Sequence, residues 1–542
     1  MKSSRTLRVL FSLSLLTTPL IITACATSSE QEVAQEVVVT GIAAQNVARM
    51  SLSKPQELSY QPAPKEYRDD FEEFEINRIT QVSETPVSTF SADVDTASYS
   101  FVRKRLNAGY LPPKDAVRLE EMVNYFDYQY PVPTSRTEPF KASIYVHDAP
   151  WAKDKKLIHI GIQGYEIEPE VQPDSNLVFL LDVSGSMDAP DKLPLVKQSM
   201  ELLLSQLKPT DTIAIVVYAG AAGVVLPPTE VSEKTVITQA MDGLQAGGST
   251  AGAEGIQLAY QLAQQNFKEG AVNRIILATD GDFNVGITDR EQLQDFVERK
   301  RNEGIYLSVL GFGQGNYQDY MMQTLAQNGN GVAAYIDTLS EAQKVLVHEA
   351  TSSLFPIATD LKLQMEFNPA KVREYRLLGY ETRALNREDF NNDKVDAGDI
   401  GSGHSVTAIY EIALVDSEDT LIDDLRYGDK STDDHKTVNN IQQELALLRI
   451  RYKRPGETES ELSELPIANE QAVDATLKQE ANFATAVAGF AQLLKDDKYL
   501  KDWHYDDAID LAQANKGDDD YGYRTELVQL IRKAKVAKAM QQ

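Results

Sequence analysis

The chain has 542 residues, an apolar fraction of 42% with 8% aromatics, and a formal charge of -28 at pH 7. Its length exceeds one domain and its composition is that of a chain that folds around a core. So acidic a surface repels phosphate backbones, which sets nucleic acid aside as a partner and leaves bound cations or a basic peptide surface.

In chain order, Lys2, Arg5 and Arg8 precede an apolar stretch from Val9 to Ile22 that Pro19 interrupts. This is the pattern of a secretory signal, too short for a comfortable membrane span. Ile22-Thr23-Ala24-Cys25 follows, and Cys25 is the single cysteine of the sequence. The four residues resemble the bacterial lipobox. That resemblance implies a signal peptide over 1–24, lipidation of Cys25, and a lipid-anchored protein of the bacterial cell envelope. Ala26, rather than an aspartate, points by the same resemblance to the outer membrane. With no second cysteine there is no internal disulfide to expect. Residues 25–85 are rich in Gln, Glu, Ser, Pro and Ala and read as a disordered tether.

Between 86 and 140, Phe101, Val102 and Leu106, then Val117, Leu119, Met122, Val123 and Phe126, recur at helical spacing on either side of Pro112-Pro113. Two short helices are expected there. Asp93 and Asp95 in DVDTAS read as an acidic turn opening the first helix at Thr96 or Ser98. The period then changes to two: Ala142, Ile144 and Val146, and Ile158, Ile160 and Ile162. It returns at Leu361 to Phe367, Val406 to Ile412 and Leu448 to Tyr452. Strands at 141–173 and 353–465 thus flank a different block, and one antiparallel β-sandwich carrying an insertion accounts for them. An insertion requires its two ends to lie side by side.

The block at 174–352 alternates strands (NLVFLLDV, TIAIVVYA, RIILATDG, IYLSVLGFG, GVAAYID) with helices such as LPLVKQSMELLLSQL and AGAEGIQLAYQLAQQNF. That is the order of an α/β, doubly wound, mostly parallel sheet. Ligands of such sheets sit at the carboxyl ends of the strands. There the sequence places oxygens: Asp182, Ser184 and Ser186 leave the first strand, Thr250 precedes a helix, and Asp280 ends another strand. Two carboxylates and three hydroxyls suit a small hard cation, Mg²⁺ first and Mn²⁺ or Ca²⁺ after it. Thiolate and imidazole ligands for zinc are absent from this set.

These five residues match the DxSxS…T…D pattern without departure, and the block resembles a von Willebrand factor type A domain. The resemblance implies a metal-ion-dependent adhesion site. In it the serines and threonine coordinate directly, the aspartates bind directly or through water, and a partner's Asp or Glu carboxylate completes an open position. STFSADVDTASY, LPPKDAVRLEEMVNYFDYQYP, GGSTAGAEGIQLAY, ATDGDFNVG and VDAGDIGSGHSVTAIYE extend the likeness from about residue 80 to the end. Over that length the chain resembles the YfbK-type bacterial lipoproteins.

Other chemistry finds less support. DVSGSMD lacks the glycine pattern of a nucleotide loop, and no GxSxG with a placed histidine marks a serine hydrolase. DFNNDKVDAGD, with Asp389, Asn391, Asp393, Asp396 and Asp399, lacks the sixth-position glycine and twelfth-position acid of a calcium loop and reads as a solvated acidic loop. At 466–542, Phe483, Val487, Phe490 and Leu494 form one helical stripe, and Leu527, Leu530, Ile531 and Ala534 another. The expected function is non-enzymatic: capture of a protein carboxylate through a divalent cation, for adhesion or scaffolding. The alternative is a metal-dependent hydrolase, which needs a general base that the motif does not place.

Overall fold

The computed structural model describes residues 69, 71, 73–92, 95–168, 171–248, 252–281, 290–313, 318–422, 443–469 and 472–541. The signal segment, Cys25, Asp93, Thr250 and the tether up to residue 68 lie outside them.

The chain first lays down β1 (Thr80–Gln81), β2 (Val87–Ser91), α1 (Ala97–Asn107), α2 (Leu119–Asn124), β3 (Phe140–Asp148) and β4 (Lys155–Gly164). The inserted block follows as β5 (Ser175–Asp182), α3 (Leu193–Gln206), β6 (Thr212–Tyr218), β7 (Ala222–Glu230), α4 (Lys234–Asp242), α5 (Gly252–Gln265) and β8 (Val272–Thr279). It ends in α6 (Arg290–Asn302), β9 (Tyr306–Phe312), α7 (Asp319–Asn328), β10 (Ala333–Ile336), α8 (Leu339–Gln343) and α9 (Ala350–Leu354). The sandwich resumes with β11 (Pro356–Phe367), β12 (Val372–Leu378), β13 (Gly398–Gly401), β14 (Ser405–Leu414), β15 (Glu444–Lys453) and β16 (Glu461–Ala468). Helices α10 (Ala475–Lys495), α11 (Tyr505–Ala514) and α12 (Tyr523–Gln541) close the chain.

The inserted block forms one sheet in the order β10-β9-β8-β5-β6-β7. Successive side chains of a strand point to opposite faces, so Leu177, Phe179 and Leu181 enter one core with Val196 and Met200 of α3. Val178 and Leu180 enter another with Ile256 and Tyr260 of α5. That second core also takes Phe101 of α1, which joins the N-terminal region to the block. The five expected strands form. The sixth, β7, pairs antiparallel with β6 at the sheet edge. Its Pro227-Pro228 masks it in the sequence, and an edge is where a strand tolerates proline.

The flanking strands make two antiparallel sheets, β1-β12-β14-β4-β3 and β13-β11-β15-β16, around a shared core that includes Ile158, Ile160, Leu363, Met365, Tyr410 and Ile450. The insertion expected from the two separated sets of strands is therefore present. One boundary changes: β1 pairs with β12, and β2 with β11, so residues assigned to the tether and the helical region complete the sandwich. Strands of two and five residues are too short to show a period, and their partners lie nearly 300 positions away. Strand β4 is also buried on both faces rather than one. Tyr130 lies over Gly161, where a Cβ would come within 2.5 Å of the ring, and its hydroxyl reaches His159 Nε2 at 2.8 Å.

Both C-terminal stripes pack with Val102, Leu106, Met122, Val123 and Phe126 in one helical core. Asp95 accepts from the Ala333 amide at 2.9 Å and pairs with Arg383 at 2.9 Å. Thr96 makes no side-chain cap; instead Glu121 Oε2 accepts from the Ser98 amide at 2.8 Å. The acidic loop is less solvated than expected: Arg301 takes Asp396 at 2.5 Å, Arg451 takes Asn391 at 2.9 Å, and Lys453 takes the Asp393 carbonyl at 2.7 Å. No helix among the described residues is long and apolar enough to cross a membrane.

Candidate metal centre

Strands β5 and β8 are neighbours, but their crossovers leave in opposite directions along the sheet, to β6 and to β9. Their carboxyl ends therefore frame a crevice, the usual ligand position of an open α/β sheet. Asp182 is the last residue of β5 and pairs in register with Tyr218 of β6; Leu181 pairs with Ala278 of β8. The same register brings Asp280, one residue beyond β8, to the other side of the crevice.

Asp182 is fully buried, with Ser184 and Asp280 each 2% exposed. The Ser184 amide donates to Asp182 Oδ1 at 2.8 Å, and Thr279 Oγ1 to Oδ2 at 3.5 Å. Burial holds the Asp182 carboxyl up at about 6; the Ser184 amide and hydroxyl and the Tyr218 hydroxyl draw it down, and Asp280 raises it. Ser184 Oγ lies 3.0 Å from Ser186 Oγ, and Ser186 itself is exposed. The site thus grades from buried carboxylates to an outward-facing hydroxyl.

Backbone bonds tie the serine turn to the loop before Thr250. Gly247 N donates to Val183 O at 2.8 Å and Gly185 N to Gly248 O at 3.1 Å. Four of the five residues read from the sequence, Asp182, Ser184, Ser186 and Asp280, stand on two adjoining strand ends. The fifth, Thr250, lies outside the described residues, two positions after the bonded Gly248.

Sequence reading missed Lys192. It is 9% exposed, and its Nζ donates to Asp280 Oδ2 at 2.7 Å. Its stem runs over Gly313, where a Cβ would overlap the Lys192 side chain and where φ is +81°. The signal was a lone lysine in DAPDKLP, with nothing local to say which carboxylate it meets.

The donors fit a hard cation. All are oxygens, and a dication beside Asp182 would offset the cost of keeping that carboxylate buried. Among the described residues no group of three or more His, Cys, Asp or Glu could hold a metal. Hydroxyl and carboxylate oxygens suit Mg²⁺ better than Zn²⁺.

Family models described as von Willebrand factor type A domain and von Willebrand factor match residues 176–348 and 65–159. The inserted block is a von Willebrand factor type A domain, the class that the sheet and its serine turn define. A third model, "Uncharacterized protein YfbK, C-terminal", matches residues 352–537. The Escherichia coli (strain K12) protein "Uncharacterized protein YfbK" is 44% identical over 467 residues, 85% of this chain and 80% of that protein. The chain belongs to the YfbK family. Human inter-alpha-trypsin inhibitor heavy chain H4 is 29% identical over 175 residues, covering 31% of this chain and 19% of that protein. A solved von Willebrand factor type A structure from Catenulispora acidiphila covers 75% of this chain and 91% of its own, with 15% identity and a TM-score of 0.41.

Proposed function

We propose that the protein is a non-enzymatic binding module, lipid-anchored through Cys25 in the bacterial cell envelope, on the outer membrane. It captures a protein partner through a divalent cation, for adhesion or scaffolding. Asp182, Ser184, Ser186, Thr250 and Asp280 would hold Mg²⁺, and the partner would bring an Asp or Glu carboxylate. The observation that carries this reading is the grading of the site: two buried carboxylates beneath an exposed serine hydroxyl, with hard oxygen donors at a crevice between strand ends. A bound Mg²⁺ would supply a hard positive centre with an open ligand position facing outward.

The chain's own residues set the rest. Asp182 and Asp280 supply negative charge from below, the backbone bonds between 183–185 and 247–248 hold two donor loops together, and Lys192 occupies Asp280 Oδ2 until a cation displaces it. A hydrolase would need a base beside the metal. The sequence has no histidine between His159 and His348, which favours binding over water activation.

The test is capture of envelope proteins by the full chain with and without Mg²⁺. Asp182→Ala should lose Mg²⁺-dependent capture while the fold persists by circular dichroism. Undiminished capture in EDTA would refute the metal-dependent reading. Separately, Cys25→Ser should move the protein from membrane to soluble fractions, and unchanged partition would remove the lipid anchor.

A further inference from the structure

The type A domain, the sandwich and the segment before α1 meet around a cavity of about 230 Å³. Arg274 of β8, Asp399, His404 and Asp95 are among its walls. Most of the charge there is matched within the protein. Arg383 pairs with Asp95 at 2.9 Å, Arg301 with Asp396 at 2.5 Å, and Lys344 with Glu349.

Arg274 is the exception. It is 3% exposed, yet no carboxylate among the described residues is in ion-pair contact with it. Its Nη1 donates to the neutral Ser308 Oγ at 2.7 Å, the Tyr306 ring lies 5.5 Å from its guanidinium carbon, and its buried Nε has no hydrogen-bond partner. His404 Nε2 is likewise buried without a partner. Asp399 is the nearby acid, but its Oδ1 is taken by the Asp360 amide at 3.2 Å. Burial and Asp396 push that carboxyl up to about 8, while Arg274 draws it down. Burial holds the guanidinium below its ordinary range, at about 10. A buried charge is normally paired, because leaving it unpaired costs several kcal/mol.

We propose that this cavity binds a small oxyanion, a carboxylate or phosphate group seated on Arg274 with His404 Nε2 beside it. Arginine presents a planar fork of donors suited to either group. The seat is separate from the metal centre. Arg274 lies near the start of β8 and Asp280 just past its end, so the two sites occupy opposite ends of one strand and the proposal stands or falls without the cation.

The experiment titrates the full chain with inorganic phosphate in one arm and acetate in the other, against sodium chloride at matched ionic strength, by calorimetry and thermal melting. Saturable binding of one or both anions is expected, and the responding arm identifies the group. Arg274→Met should weaken that binding at least ten-fold. Without ligand it should melt no lower than the parent, since it removes an unpaired buried charge. His404→Phe, which fills part of the cavity and removes the second donor, should also weaken binding and serves if the Met variant does not fold. No saturation by about 10 mM of either anion, enough to fill a site of millimolar Kd, overturns the proposal. So does an unchanged isotherm in a folded variant of either residue.

Discussion

The inserted sheet and the frame around it place their charges in opposite ways. Strands β5, β6, β8 and β9 bury apolar side chains on both faces, and Asp182 and Asp280 stand at the carboxyl ends of two of them. The frame buries its charges inside. Arg376 is 1% exposed and binds Asp497 at 2.7 Å, Glu411 at 3.2 Å and Gln492 at 2.9 Å. Glu411 also accepts from Trp151 Nε1 at 2.6 Å and Lys155 Nζ at 3.1 Å. Arg103 of α1 reaches Asp337 and Glu341, and Arg118 reaches Asp319 of α7 at 2.5 Å, so the frame grips the insert through ion pairs. Apolar packing makes the insert; paired charge sets its place. In the frame the charges are closed into pairs, whereas at the crevice Asp182 meets only neutral hydrogen-bond donors among the described residues.

The largest effect should follow from breaking the frame's pairing. Arg376→Ala leaves Asp497 in the interior without its arginine, while Glu411 keeps Lys155 and Trp151, and should cost about 3–5 kcal/mol in urea unfolding. A loss below about 1 kcal/mol would mean that the frame does not depend on its buried pairs.

Acid should come next, with opposite signs in the two regions. Burial lowers His147 to about 4, His159 to about 3 and His404 to about 4, all in the sandwich or its turns. The unfolded chain takes up these protons from about pH 6.5 downward while the folded chain refuses them. Their contribution to stability is complete above pH 6.5 and is lost as pH falls toward 3. Asp182 acts the other way: held up at about 6, it keeps its proton when the unfolded chain, near 3.9, has lost it. Its contribution therefore falls as pH rises from about 4 to 6. Melting curves across pH should drop below 6.5. His159→Leu should flatten that drop, and Asp182→Asn in the cation-free protein should gain most above pH 6.

Asp182→Ala should then change folding stability by less than about 1 kcal/mol while abolishing Mg²⁺-dependent capture, because it removes a costly buried carboxyl. A loss comparable to that of Arg376→Ala would make Asp182 a structural residue instead. The smallest change is expected from Lys192→Met. Its ammonium occupies Asp280 Oδ2 and would compete with the proposed cation, so Mg²⁺ affinity by calorimetry should rise a few-fold, and a fall would show that Lys192 supports the site.

What the sequence disclosed follows the same division. The strands of the insert, the sandwich strands with period two and the helical stripes were legible because their signals are local, as were Asp182, Ser184, Ser186 and Asp280 at strand ends. Lys192 on Asp280, Arg376 on Asp497, Arg103 on Glu341 and the unpaired Arg274 were not. Each is defined by a partner, or by the want of one, far along the chain. Strands β1 and β2 escaped for the same reason, since two and five residues acquire meaning only beside β12 and β11.

The insertion also separates the order of synthesis from the order of assembly. Strand β4 is complete at residue 164, yet its neighbour β14 begins at residue 405, and Gln163 bonds the Gly403 carbonyl across 240 positions. Closing so long a loop in an unfolded chain is slow and entropically costly. Once the six-stranded sheet has formed, the stretch still to be closed is residues 165–174 and 355–404 rather than the whole of 165–404. The type A domain is thus, besides its crevice, the clasp that lets the two halves of the sandwich find each other.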